Sequence, residues 1–198
     1  MSGRTEGAAP LPAYEVLNRA KRINVVGTAG SGKSTFARRL AELKGLPCVE
    51  MDALFWKPQW TEATDAEFFP KLESALAGES WVLDGNYSRS RPIKWSRVEV
   101  VVFIDLPFLQ TIGRVTARTL RRCLSGNEVW RGTGNRETFG QSFFSSDSVV
   151  WWAIQNHRSN RERYLDPEYY ADYQPLDLVH LDSARAVAEC LAGVAREQ

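Results

Sequence analysis

The chain has 198 residues and a mass of 22.3 kDa, enough for one domain of ordinary size with its own core. Its 43% hydrophobic and 25% charged residues and mean hydropathy of −0.34 are those of a soluble globular protein, and no run approaches the roughly 18 apolar residues that span a bilayer, so no membrane role is expected. A net charge of +1 supplies no overall basic field, so specific binding to nucleic acid is not expected either.

Short apolar runs alternate with amphipathic segments along the chain, the signature of an α/β fold with a parallel sheet flanked by helices. Residues 1–20 begin small, polar and proline-bearing, lack an apolar leader segment and are expected to be a flexible tail; 21–198 are expected to form one domain. A first strand is predicted over 22–27 (RINVVG) and a helix over 33–44, with Phe36, Leu40 and Leu43 on one face. A second strand over 46–51 ends at Asp52, and 53–60 (ALFWKPQW) reads as an aromatic loop. Thr64 and Glu67 make a capping box for a helix that runs to about residue 77 and stops at Gly78. A third strand over 81–83 closes on Asp84-Gly85. The most apolar run, 98–104 (VEVVVFI), is the expected central strand, buried on both faces. After it come a long helix to about residue 124, a Gly-, Asn- and Arg-rich mobile loop over 125–140, a helix over 149–164, a fifth strand over 176–181 and a closing helix over 183–196. Cys48, Cys123 and Cys190 are far apart and lack C-x-x-C spacing, which points to a reducing compartment, the cytoplasm, and away from disulfides or zinc.

Gly27, Thr28, Ala29, Gly30, Ser31, Gly32, Lys33, Ser34 and Thr35 fit G-x-x-x-x-G-K-[ST], with a predicted strand before and a helix after. Glycines let successive amides converge on a phosphate, and the helix that follows aims the positive end of its dipole at the same anion. The spacing predicts a nucleotide-binding loop in which Lys33 reaches the β/γ oxygens of a triphosphate and the Ser34 hydroxyl ligates Mg²⁺.

Ligands of open parallel sheets lie beyond the carboxyl ends of the strands, where Asp52, Asp84 and Asp105 fall. Mg²⁺ keeps several waters and needs few protein ligands, and Asp84, followed by a glycine that would let substrate near the backbone, is the expected metal carboxylate. Asp52 is read as binding the acceptor or serving as its base, against the alternative of a loop cap; Asp105 reads better as a helix N-cap. Between Arg114 and Arg136 stand six arginines and one acid, Glu128. Arg114, Arg118 and Arg122 share a helix face, and Arg131 and Arg136 lie in the glycine-rich stretch, a candidate lid over about 122–142. Such arginines suit the charge of a transferring phosphoryl group; a solvated basic face or a nucleic-acid patch are the alternatives. Phe55, Trp56 and Trp60 could stack on a base, wall an apolar acceptor or pack under a helix, whereas Trp81, Trp151 and Trp152 are expected in the core. His157 and His180 show no partnering pattern.

These blocks resemble the adenylate-kinase-like P-loop kinases, the nucleoside monophosphate and shikimate kinase group, over about 22–196. The loop GTAGSGKST is similar to that family's Walker A, and FIDLP followed by Arg114 and Arg118 resembles its fourth-strand motif. WVLDGNYSRS (81–90) is similar to the family's third-strand segment, and MDALFW (51–56) resembles the stretch after strand 2 of the bacterial DNA topology modulation proteins, the part of the group this chain resembles most. The resemblance implies a strand order of 2-3-1-4-5, ATP and Mg²⁺ as cofactors, and a small nucleotide or metabolite as acceptor. It implies that Asp84 serves the metal, Arg89 the acceptor phosphate, and Arg114 and Arg118 the phosphates. Asn86-Tyr87-Ser88 replaces the family's Phe-Pro, and Trp56 and Trp60 are bulky; both departures bear on AMP as the acceptor and leave the ATP half untouched. Lys33, Asp84, Arg114 and Arg118 are thus the expected catalytic set of an ATP-dependent phosphotransferase, and a regulatory nucleotide switch linked to DNA topology is the alternative.

Overall fold

The computed structural model describes residues 11–130, 132–145, 148–173 and 175–197. In chain order the elements are α1 (Ala13–Arg19), β1 (Arg22–Gly27), α2 (Lys33–Lys44), β2 (Cys48–Glu50), α3 (Met51–Phe55), β3 (Trp56–Lys57), β4 (Thr61–Glu62) and α4 (Asp65–Ala75). They continue with β5 (Trp81–Asp84), α5 (Arg91–Lys94), β6 (Val100–Ile104), α6 (Phe108–Ser125), α7 (Phe139–Phe144), α8 (Val149–Leu165), β7 (Asp177–Leu181) and α9 (Ala184–Arg196).

Near-continuous apolar runs are what a parallel sheet covered on both faces requires, and β1, β5 and β6 are buried almost throughout. Five strands pair in parallel in the order β2-β5-β1-β6-β7. The expected 2-3-1-4-5 takes this numbering because the aromatic segment expected as loop adds two strands, β3 and β4, in a small antiparallel hairpin outside the sheet. Period-2 alternation splits the core. Ile23, Val25, Val100, Val102 and Ile104 face one cluster with α2 and α9, while Val26, Val101 and Phe103 face another with Phe68, Leu72 and Trp95. Register brings the carboxyl ends into line: Val25 and Glu50 both lie opposite Asp84, and Gly27 lies opposite Ile104. The first residue of the glycine-rich loop, Asp84 and the start of α3 therefore share one rim.

Several expectations need correction. The tail expected over 1–20 folds from residue 13, as α1 buries Leu17, packs Tyr14 on Gly193 of α9 and has its last carbonyls, Leu17 and Asn18, capped by Lys44 Nζ at 2.7 and 2.9 Å; residues 1–10 lie outside the described residues. Trp81 is buried as expected, but Trp151 and Trp152 are exposed, because α8 turns Ala153, Asn160 and Tyr164 inward. The capping box at Thr64 and Glu67 is present, with the Thr64 amide donating to Glu67 Oε2 at 2.8 Å. Among the described residues no helix is long and apolar enough to cross a membrane.

Candidate functional site

The strand-to-helix turn at 27–32 is a nest of backbone donors. Gly27, Gly30 and Gly32 all have positive φ, and α2 starts at Lys33 with no side chain capping its first amides. A helix start left open in this way is where an anion is held. Gly30 shows why a side chain is excluded: at φ +91° its Cβ would stand 2.9 Å from Val115 Cβ and against the Thr111 carbonyl of α6. Gly30→Ala should therefore lose about 1–3 kcal/mol of stability, measured by urea unfolding, and weaken nucleotide binding with it. Thr28 is buried, with its hydroxyl accepting from Asn160 Nδ2 of α8 at 3.1 Å, while Thr35 faces solvent.

Asp84, at the end of β5, is buried. The Lys33 ammonium and the Ser34 hydroxyl both favour the charged form of its carboxylate, yet burial outweighs them and pushes its pKa up, with Asp52 adding to the rise. One carboxylate oxygen, Oδ1, is buried with no hydrogen-bond partner, as is the Ser31 hydroxyl in the loop. An unpartnered buried carboxylate oxygen beside a serine hydroxyl fits a Mg²⁺ ion, which needs only one or two protein oxygens and fills its shell with water and phosphate. Among the described residues no three His, Cys, Asp or Glu side chains converge as a cage. Gly85 does not admit substrate as expected: the space a Cβ would take is filled by Met51, 2.7 Å away.

The arginines divide. Arg114 places Nη1 3.6 Å from where a Cβ on Gly32 would stand, at the mouth of the loop. Arg118 is half-buried with its Nε unpartnered, close enough to Asp52 and Asp84 for their charges to act on it; burial, then Arg122, lowers its pKa. Arg122 is committed to Glu137 of the following loop at 2.9 Å. Arg89 does not join the cluster: it is exposed and paired with Asp65 at 3.4 Å, so the acceptor role expected for it is not supported. Asp105 is not an N-cap either, since Pro107 holds that position; it accepts from His180 at 3.0 Å and forms an ion pair with Arg161 at 3.3 Å, giving His180 a partner the sequence did not reveal.

Asp52, on the short helix α3, accepts a hydrogen bond from the Tyr87 hydroxyl at 2.8 Å. Burial, then the Asp52 charge, raises the Tyr87 pKa, so the phenol stays a donor. Phe55 is buried between Trp56, Phe68 and Tyr87 and is a packing residue, contrary to the substrate contact expected of it. Trp56 is half-exposed and stacks on Trp130 of the loop after α6, with centroids 6.1 Å apart; Trp60 stands edge-on to both. That loop is anchored to the hairpin, not loose: Asn135 is buried, accepts from the Trp60 amide at 2.9 Å and donates to the Lys57 carbonyl at 2.9 Å. Of the two lid arginines, Arg136 is exposed and Arg131 lies outside the described residues.

A buried polar network beneath the rim was missed in the sequence. Lys94 is fully buried and donates to the carbonyls of Asn86 at 2.6 Å and Gly85 at 3.4 Å. Asn24, inside β1, donates to the Leu83 and Gly85 carbonyls and accepts from Trp95 Nε1. An asparagine in an otherwise apolar strand was the available signal. Burial, with Arg91 adding to it, pulls the Lys94 pKa from 10.5 down to about 7. Between those values the unfolded chain holds a proton that the folded one does not, so the Lys94 contribution to stability rises as pH increases through that window. The urea midpoint should climb from pH 7 to 9, and Lys94→Met should flatten that climb.

Comparison of the sequence with protein-family models and with curated proteins gives no match. Among solved structures the chain is similar to a gluconokinase from Sinorhizobium meliloti 1021, with a TM-score of 0.47 and 21% identity over 89% of this chain and 93% of that one. It is similar to a shikimate kinase from Acinetobacter baumannii in complex with shikimate, with a TM-score of 0.47 and 15% identity over 90% and 93%. A sugar kinase from Janibacter sp. HTCC2649 gives a TM-score of 0.45 and 16% identity over 89% and 91%. At TM-scores this low the likeness carries no argument, and the chemistry that follows rests on this chain's own side chains.

Proposed function

We propose that this chain is an ATP-dependent phosphotransferase that moves the γ-phosphoryl of Mg²⁺–ATP onto a hydroxyl of a small acceptor. The observation that carries the reading is the glycine-rich loop, open at its helix start, facing a buried carboxylate whose Oδ1 has no partner. Amides of the loop after Gly27, whose own N–H is taken by Asn86, would cradle the phosphates, with Lys33 on the β and γ oxygens. Ser34 and Asp84 would hold Mg²⁺, which when bound neutralises charge on those oxygens. Arg114 and Arg118 lie on the side of α6 that faces the loop and Asp84, where guanidinium groups stabilise the transferring phosphoryl. Asp52, oriented by Tyr87, would direct the acceptor hydroxyl, with Trp56 beside it. Positioning and charge do most of the work in such a transfer, so no strong general base is required.

A resemblance to DNA topology modulation proteins would rest on the MDALFW segment and would add no reaction of its own. The test is ADP release with a panel of nucleoside monophosphates and hydroxylated metabolites, with mass spectrometry of the products. Acceptor-stimulated release and a phosphorylated product are expected. Release indifferent to every acceptor would instead mark a nucleotide switch.

A further inference from the structure

Asn86 is the residue by which the loop after β5 grips the glycine-rich loop. The Gly27 amide donates to Asn86 Oδ1 at 3.0 Å, and Asn86 Nδ2 donates back to the Gly27 carbonyl at 2.9 Å. Such a reciprocal amide pair fixes both distance and orientation, as a backbone ladder does, but through a side chain. The same residue is held from beneath, where Lys94 Nζ donates to its carbonyl and that of Gly85, and Asn24 Nδ2 donates to Gly85 again. Asp84 stands two residues away, within the same short stretch. The amide of Gly85 also donates to Val25 of β1 at 3.2 Å, so the chain from Asp84 to Asn86 is fastened at each residue that follows the carboxylate.

Resting on the phosphotransferase reading, we infer that Asn86 is a positioning residue that sets the separation between the Asp84 carboxylate and the phosphate-binding amides, and so tunes how far Mg²⁺ strengthens nucleotide binding. Neither partner of the pair is needed to build the sheet, since β1 and β5 are already joined by their own register. What the pair fixes is the relation between two loops that must hold one metal–phosphate unit between them. A metal shell tolerates little misplacement, so a loop that drifts by a fraction of an ångström loses the metal before it loses the nucleotide.

The test titrates the full chain with ATP in excess EDTA and again in excess Mg²⁺, and compares the ratio of the two affinities among wild type, Asn86→Leu and Asn86→Asp. Wild type should bind more tightly with Mg²⁺. Asn86→Leu, which removes both hydrogen bonds, should lose about tenfold of that gain while changing metal-free binding less. Asn86→Asp keeps an acceptor for the Gly27 amide and loses the return bond, so it should fall between the two. Should Asn86→Leu fail to fold by circular dichroism, Asn86→Asp decides alone. A lowered melting temperature with an unchanged ratio would show a structural role only and overturn the inference. Wild type that binds no ATP in either condition would overturn the phosphotransferase reading, and this inference with it.

Discussion

Replacing Lys33 with alanine is expected to slow phosphoryl transfer by about 10²- to 10³-fold, or about 3–4 kcal/mol of transition-state stabilisation, the scale of losing one preorganised charged donor. Lys33 opens α2 at the point where the helix amides and the glycine-rich loop converge, and it acts on the Asp84 carboxylate from across the site. No other lysine of the loop can replace it. Its side chain is only half-buried and carries no core packing, so the variant should unfold within about 0.5 kcal/mol of wild type. Urea unfolding beside steady-state rates separates the two effects: full turnover in the variant would remove the lysine from the mechanism.

Asp84→Asn should move stability and activity in opposite directions. Burial raises the Asp84 pKa above its unfolded value of 3.8. The unfolded carboxyl therefore ionises more readily than the folded one, and stability drains away as pH rises through and above that value. Asparagine removes the buried charge, so the nucleotide-free variant should melt at a higher temperature than wild type at pH 7, with the difference shrinking toward pH 4. Losing the carboxylate should cost turnover about 10²- to 10³-fold, because the metal it would hold is what neutralises the phosphates. This pairing of a stability gain with an activity loss is what a strained functional group shows and a structural one does not. Scanning calorimetry across pH, beside initial rates, checks both halves; a destabilised variant with normal turnover would make Asp84 a structural aspartate.

How much of this was legible in the sequence depended on whether one local signal sufficed. The glycine-rich loop was legible because residue type, spacing and strand–helix context all sit within 14 residues, from Arg22 to Thr35. Asp84 stands out in the sequence by its place at a strand end, a signal it shares with Asp105, which His180 and Arg161 hold. The five sheet strands could be read from apolar runs, whereas α1 could not, since its burial depends on Gly193 and Lys44, far away in the chain. The surroundings of Arg89 and Phe55 were hidden for a related reason. A motif gives a residue's position but not its partner, and Asp65 takes the first while Phe68 and Tyr87 enclose the second. The roles of Asn86 and Asn135 were hidden because each acts through backbone groups distant in sequence, which no periodicity records.

Hydrogen exchange with and without Mg²⁺–ATP tests the central claim most directly, since it reads the loop amides themselves. Saturating nucleotide should slow exchange in the peptide covering residues 27–35, with a smaller effect at 84–86, while α1 and α9 stay unchanged. Equal exchange at 27–35 in both conditions, at a nucleotide concentration where any binding would be complete, would contradict it.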